Sequence, residues 1–450
     1  MKMSSNLSQR IWPRGANRDC DGIVCIGGIR TTDLAKEFGT PVFVLDEDDF
    51  RARARQWRGA FEDAFGADNV SVYYAGKAFI SIAVAKWVAE EGLGLDVCTG
   101  GEFAIATSAQ FPPSRIAFHG NNKSQDEIHS AIAAGVGLIA VDSFYELERV
   151  AKTALAADAV QKILLRVTPG VEAHTHEFIA TAHEDVKFGF SISTGAAAEA
   201  VRLALASPHL ELHGLHSHIG SQIFDTEGFE IAAHRVIGLL GAIRDEHGIA
   251  LESLDLGGGY GIAYVEEDDP LSPDTLAQGL YEIVTRECDL HGLEIPHISI
   301  EPGRAIAGPS TVTIYTVGTV KAVELDGGRS RAYISVDGGM SDNIRTALYD
   351  AEYTAVLANR LSTESLTTSR VVGKHCETGD IVVRDIALPT DITPGDLLAT
   401  PATGAYGRSM ASNYNHVPRP PVVGVRDGKA RLIVRRETHE DLLRLEVPEG

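Results

Sequence analysis

The chain has 450 residues, 44% hydrophobic and 23% charged, an ordinary globular balance with room for two or three domains. Lys and Arg number 40 against 62 Asp and Glu, and the net charge of −22 argues against nucleic acid or an anionic membrane as a general partner. No run is apolar and long enough to span a bilayer, MKMSSNLSQRIWPRGANRD lacks the apolar core of a signal peptide, and Cys20, Cys25, Cys98, Cys288 and Cys376 follow no disulfide framework, so the expectation is a cytoplasmic protein.

Residues 1–47 hold a polar tail and two apolar patches, GIVCIGGI and TPVFVLD. The first reads as a strand of a β domain and the second as entry into a larger body. Over 48–308 strand-like runs alternate with helical ones: SVYYAG from Ser71, GLDV from Gly94, RIAFHG from Arg115, LIAVDS from Leu138, ILLRVTP from Ile163, LHGLHSHIG from Leu212, LESLDLGGG from Leu251 and HISIEPG from His297. Eight βα units over roughly 250 residues predict a (β/α)8 barrel of the TIM type, with a doubly wound sheet as the alternative. Over 309–450 β-branched runs separated by Gly, Pro and Asp turns predict an all-β domain, a barrel or sandwich, joined by the early GIVCIGG strand.

Barrel enzymes work at the C-terminal ends of their strands, and here those ends carry Lys77, Asp96, His119, Asp142, Arg166, His218, Gly257 to Gly259 and Glu301. Lys77, where a strand meets a helix among apolar neighbours, is placed to attack a carbonyl as a neutral amine; taken alone, a solvated turn lysine is the plainer reading. In LDLGGGYG, Gly257, Gly258 and Gly259 can bring backbone N–H groups close to a phosphate, or simply make a tight turn. The dinucleotide fingerprint fails because Ile262 stands at its last glycine. Glu301 leaves an apolar strand and needs a partner, such as a protonated ring nitrogen. Gly303 allows close approach to a phosphate, and Arg304 offers a fork for a carboxylate or phosphate.

His216 and His218 alternate on one strand, and His174, His176 and His183 are near in sequence, which raises metal binding. Neither HExxH nor paired CxxC occurs, so no metal is expected. His218 can instead stack on an aromatic cofactor, with Ser221 beyond it reaching a phosphate.

Together SVYYAGKAF, HSHIGSQ, LGGGYG, EPGR, CETGD and GAYG resemble the pyridoxal-phosphate decarboxylases of the alanine-racemase-like fold (fold type III), from about residue 20 onward. The resemblance implies that Lys77 holds pyridoxal 5'-phosphate as a Schiff base, that His218 stacks on the ring and that Glu301 keeps the ring nitrogen protonated. Gly257, Gly258, Gly259, Ser221, Gly303, Arg304 and Tyr406 would surround the cofactor. It implies also that Cys376 returns a proton once CO2 leaves, working in the partner subunit of a homodimer with shared sites, and that Glu377 meets a distal ammonium. Arg304, Arg345, Tyr349 and Tyr406 would hold the substrate, the arginines taking a distal carboxylate. Two such arginines would be left uncompensated by ornithine or lysine, whereas meso-2,6-diaminopimelate satisfies them, losing one carboxyl group to give L-lysine.

Two alternatives stay open: a decarboxylase of another basic amino acid or carboxy-polyamine, and a non-catalytic homologue that binds a partner protein. The chain departs from the commoner pattern at Lys374 and His375, which precede Cys376 where many relatives have proline and a small apolar residue. These two basic groups are expected to lower the thiol pKa and alter the loop.

Overall fold

The computed structural model describes residues 7–170 and 187–447. His174, His176 and His183, and the question of a closing loop at 174–183, lie outside the described residues. The chain divides into two compact units, one of Arg53–Gly261 with Pro270–Gly303, the other of Met1–Ala52 with Ile262–Asp269 and Arg304–Gly450.

Among the described residues the first unit holds a ring of eight parallel strands, β1 (Val70–Ala75), β2 (Gly94–Val97), β3 (Ile116–Phe118), β4 (Leu138–Val141), β5 (Gln161–Thr168), β6 (Leu210–His216), β7 (Ser253–Asp255) and β8 (His297–Ile300), with the two-residue Phe190–Ser191 pairing beside β5. Each pairs with the next, β8 pairs with β1, and the ring is closed. This is the expected (β/α)8 barrel, and every strand-like run became a strand. Runs such as LIAV and ILLRV are continuously apolar because a parallel strand flanked by crossover helices is covered on both faces. The helices start where a hydroxyl satisfies a first-turn N–H: Ser81, Thr99, Ser124, Ser143 and Ser272 all cap in this way. The histidine alternation predicted for β6 ends at His216, the strand's last residue, and His218 belongs to the loop beyond.

The second unit is built on one mixed sheet. Its strands run in the order Ile381–Pro389, Leu366–Val372, Arg329–Val336, Thr311–Leu325, Val42–Asp46, Val422–Arg426 and Lys429–Val434. Leu397–Thr400 also pairs with Thr311–Leu325. The strand that threads this sheet from the N-terminal segment is TPVFVLD, not GIVCIGG. Val42–Asp46 is buried along its whole length between two strands. Val24–Ile26 pairs instead with Asn17–Arg18 and Ile29–Arg30 in a separate three-stranded sheet. The cause is the Gly27-Gly28 pair. Both residues have positive φ, 56° and 79°, and make a two-residue hairpin turn that folds the strand back on its neighbour.

Candidate active site

Lys77 sits in the turn directly after β1, half-buried, with the hydroxyl-capped helix Ile82–Glu90 following. The other lysine near these strand ends, Lys123, is buried and saturated by Glu146 Oε1, Gly120 O and Ala140 O, so its role is structural. Asp142 and Arg166 pair with each other at 3.8 Å.

Glu301 follows β8 and is buried. Its Oε1 lies 3.0 Å from His119 Nε2 and 3.3 Å from His216 Nε2. Neither imidazole is aligned to donate along its N–H axis, and both nitrogens of His216 stay buried without a hydrogen bond among the described residues. Asp96 and Asp255 complete the cluster, Asp96 Oδ1 lying 3.9 Å from His119 Nε2. These contacts join β3, β6 and β8, which are not sheet neighbours, so they form across the barrel interior.

Three carboxylates cannot all ionise in so small a dry space. Burial raises the pKa of Asp96 and, with the Glu301 charge, that of Asp255. Burial acts on Glu301 in the same sense, but the two histidines outweigh it and hold its pKa well below the usual range. For His119 burial disfavours the imidazolium, yet Glu301 and Asp96 push its pKa up to about 9. His216 is driven down to about 4, chiefly by burial. One ion pair, His119 with Glu301, therefore stands beside a neutral His216.

His218 is neutral as well, held well below its ordinary value by burial and then by the charge of Lys77. Its Nδ1 accepts from the Gly258 N–H at 3.1 Å, which fixes the ring's orientation. The glycine loop is obligatory. A Cβ on Gly257 would stand 2.6 Å from Ser217 O, one on Gly258 2.3 Å from Glu301 O, and one on Gly259 2.4 Å from Gly220 O. Gly257 gives its N–H to Asp255 Oδ1, and the segment holding Ser221 is laced to the loop through Ile223 and Gly259. Gly303 packs on the Lys77 turn so closely that a Cβ would stand 2.9 Å from Ala75 O. Shapeable backbone, a lysine at a strand end and under-bonded groups around a buried carboxylate fit a flat, phosphorylated, nitrogen-containing aldehyde.

In the second unit Arg304 and Arg345 are buried with tyrosines. Arg304 Nη1 donates to Tyr264 OH at 2.5 Å, and its guanidinium lies 4.8 Å from the centre of the Tyr406 ring. Arg345 Nη1 donates to Tyr353 OH at 2.5 Å, with the Tyr264 ring 4.6 Å away. Arg345 Nε is buried without a partner, and no carboxylate pairs with this arginine among the described residues. Tyr406 is held at φ 60°, in the left-handed region. Tyr349 is half-buried at the end of the short helix Arg345–Tyr349; the tyrosine joined to Arg345 is Tyr353. Sequence reasoning passed over Tyr264, Tyr353 and the pairing of His119 with Glu301. The only signals were a tyrosine five residues past the glycine loop and a histidine at a strand end.

Cys376 and Glu377 are exposed. The loop that presents them is anchored by buried His375, whose N–H and Nδ1 both meet Asp380 Oδ2, at 2.7 and 3.0 Å, and whose ring stacks on Tyr414. Lys374 is exposed.

Residues 47–308 match the family described as pyridoxal-dependent decarboxylase, pyridoxal binding domain. The diaminopimelate decarboxylase of Mycobacterium tuberculosis is 56% identical over 446 residues, 98% of this chain and 99% of that protein. That of Bacillus subtilis is 46% identical over 423 residues, 94% of this chain and 95% of that one. The crystal structure of diaminopimelate decarboxylase from M. jannaschii with L-lysine superposes with a TM-score of 0.89 at 31% identity, over 97% of this chain and 98% of that one.

Proposed function

The chain belongs to the pyridoxal-dependent decarboxylases, and from that premise we propose that it removes one carboxyl group from meso-2,6-diaminopimelate to give L-lysine and CO2, the last step of lysine biosynthesis. It is a pyridoxal-phosphate-dependent carboxy-lyase. What carries the choice of substrate is the buried, carboxylate-free guanidinium of Arg345 beside Arg304. A substrate ending in an ammonium alone would leave that charge uncompensated, at a cost of several kcal/mol.

Bound pyridoxal phosphate supplies an electron sink for the breaking C–C bond. Lys77 Nζ would hold it through its aldehyde carbon, Glu301 would accept from the ring nitrogen, and His218, held by Gly258, would lie against the ring. Gly257, Gly258, Gly259, Ser221, Gly303 and Tyr406 serve the phosphate. Arg345 and Arg304, oriented by Tyr353 and Tyr264, take the distal carboxylate. Tyr349 lies within the same segment and is assigned to the substrate with them.

Cys376 Sγ delivers a proton to the carbon that loses CO2 and regains one from solvent, while Glu377 meets the distal ammonium. Both side chains are exposed in the single chain, whereas a proton donor must work shielded from water. We therefore assign them to the site of a second copy, in a homodimer. Five unpaired thiols suit a reducing compartment, which supports a cytoplasmic location.

The test is incubation of the cofactor-supplemented protein with meso-diaminopimelate, assayed for lysine and CO2. A protein that stays colourless, with nothing fixed at Lys77 by borohydride, would end this reading.

A further inference from the structure

Three buried acids share the barrel interior, and the imidazoles gather on Glu301. Distance supplies the ranking. Glu301 has imidazoles at 3.0 and 3.3 Å, Asp96 has one at 3.9 Å, and Asp255 accepts the Gly257 N–H at 2.8 Å with no imidazole paired to it among the described residues. Of the two imidazoles, His119 also faces Asp96, whereas His216 meets Glu301 alone and stands edge-on to the His119 ring at 4.8 Å. Two adjacent buried imidazoles cannot both carry charge, and the one with two carboxylates keeps it.

We propose that His119 is the positioning residue of this site: lying 3.0 Å from Glu301 Oε1, it fixes that carboxylate and leaves Oε2 for a protonated ring nitrogen. This rests on the reading of the site as a pyridoxal-phosphate pocket. The groups facing His119 are Glu301, Asp96, Asp255 and His216, with Lys77 and Arg166 acting at longer range on Asp96 and His216. The shifts agree in direction, His119 rising to about 9 and His216 falling to about 4 against the opposing pull of burial on His119. Without the imidazolium, burial would govern Glu301, and its proton would compete with the ring nitrogen's.

The experiment uses cofactor-free protein and two readouts other than turnover. In protein labelled at histidine Cε1, carbon NMR should find one imidazole titrating near pH 9, absent from His119→Asn. Titration with pyridoxal phosphate should give a dissociation constant raised about 10- to 100-fold in His119→Asn, the lower end of the coupling between close charge pairs. The variant's affinity should weaken further as pH falls from 8 to about 6, because its Glu301 now protonates there, while the wild type stays flat. His216→Asn removes the more distant of the two imidazoles and should shift the pH profile less than His119→Asn does.

Three results would overturn the proposal: no histidine titrating above about pH 8, an affinity and pH profile in His119→Asn within about twofold of wild type, or one equivalent of a divalent metal in the purified protein, since the three donor atoms lie within 4.8 Å of one another. If His119→Asn does not fold, the wild-type NMR titration decides alone. Wild-type protein that takes up no cofactor would instead defeat the functional reading.

Discussion

Replacing Arg345 by Met tests how the distal carboxylate is read. The guanidinium is 6% exposed, donates to Tyr353 OH, and lies 4.6 Å from the Tyr264 ring and 5.6 Å from that of Tyr353. The rings and one phenol hold it in place, but no carboxylate neutralises it among the described residues. A substrate carboxylate arriving there completes a buried ion pair, whose loss costs about 3–5 kcal/mol. At 1.4 kcal/mol per tenfold, Arg345→Met should lower kcat/KM for meso-diaminopimelate by about 100- to 4,000-fold. Stability should move the other way or stay level, since the variant removes a desolvated charge and keeps an apolar stem against the same rings. Lysine release over a range of substrate concentrations measures the first effect, and thermal melting of the substrate-free protein the second. A fall in kcat/KM below about threefold, with the melt unchanged, would refute the assignment of this guanidinium to the substrate.

Lys77→Ala should abolish both turnover and the visible absorbance of the cofactor-loaded protein; a retained band of normal intensity would contradict the role of that amine. Mixing inactive Lys77→Ala with inactive Cys376→Ala should restore about a quarter of wild-type activity, because half the dimers are mixed and each carries one intact shared site. No recovery after subunit exchange would place both residues in the same chain's site. Gly258→Ala puts a Cβ 2.3 Å from the carbonyl oxygen of Glu301, backbone against backbone, so about 1–3 kcal/mol of overpacking and weakened cofactor binding should appear in a melt and a titration. Asp342, buried and only partly relieved by Tyr315 OH and the Gly339 N–H, has its pKa raised from 3.8 to about 7. The protonated form is thus favoured by folding, and the contribution is full below pH 3.8 and lost as pH rises through 7, about 4 kcal/mol in all. Asp342→Asn should flatten that part of the stability profile, and an unchanged slope between about pH 5 and 8 would show that the carboxyl titrates normally.

The barrel was legible because its signal is local and repeated. Every strand is a short apolar run, and Asp96, His119, His216, Asp255 and Glu301 gather at the strand ends, where polar residues have no other reason to collect. The course of the N-terminal segment was harder to read. GIVCIGG and TPVFVLD look alike as apolar strands, and they differ in the backbone freedom of their own residues. Two glycines at positive φ turn the first back within its own hairpin, while the uninterrupted Val42–Asp46 finds partners more than 260 residues away. Ile262–Asp269, which carries Tyr264, belongs to the unit of the C-terminal strands although the barrel sequence surrounds it, and nothing in its composition marks that excursion.

The electrostatics of the barrel interior lay further from reach, for a physical reason. Asp96, His119, His216, Asp255 and Glu301 come from five strand ends, and composition alone assigns each its ordinary charge. What separates them is less than an ångström: Glu301 Oε1 lies 3.0 Å from His119 Nε2, and Asp96 Oδ1 lies 3.9 Å from the same atom. In a dry interior such a difference decides which carboxylate keeps its charge, because interactions there are screened far less than in water. Sequence names the groups able to ionise, but only their packing selects the pair that does.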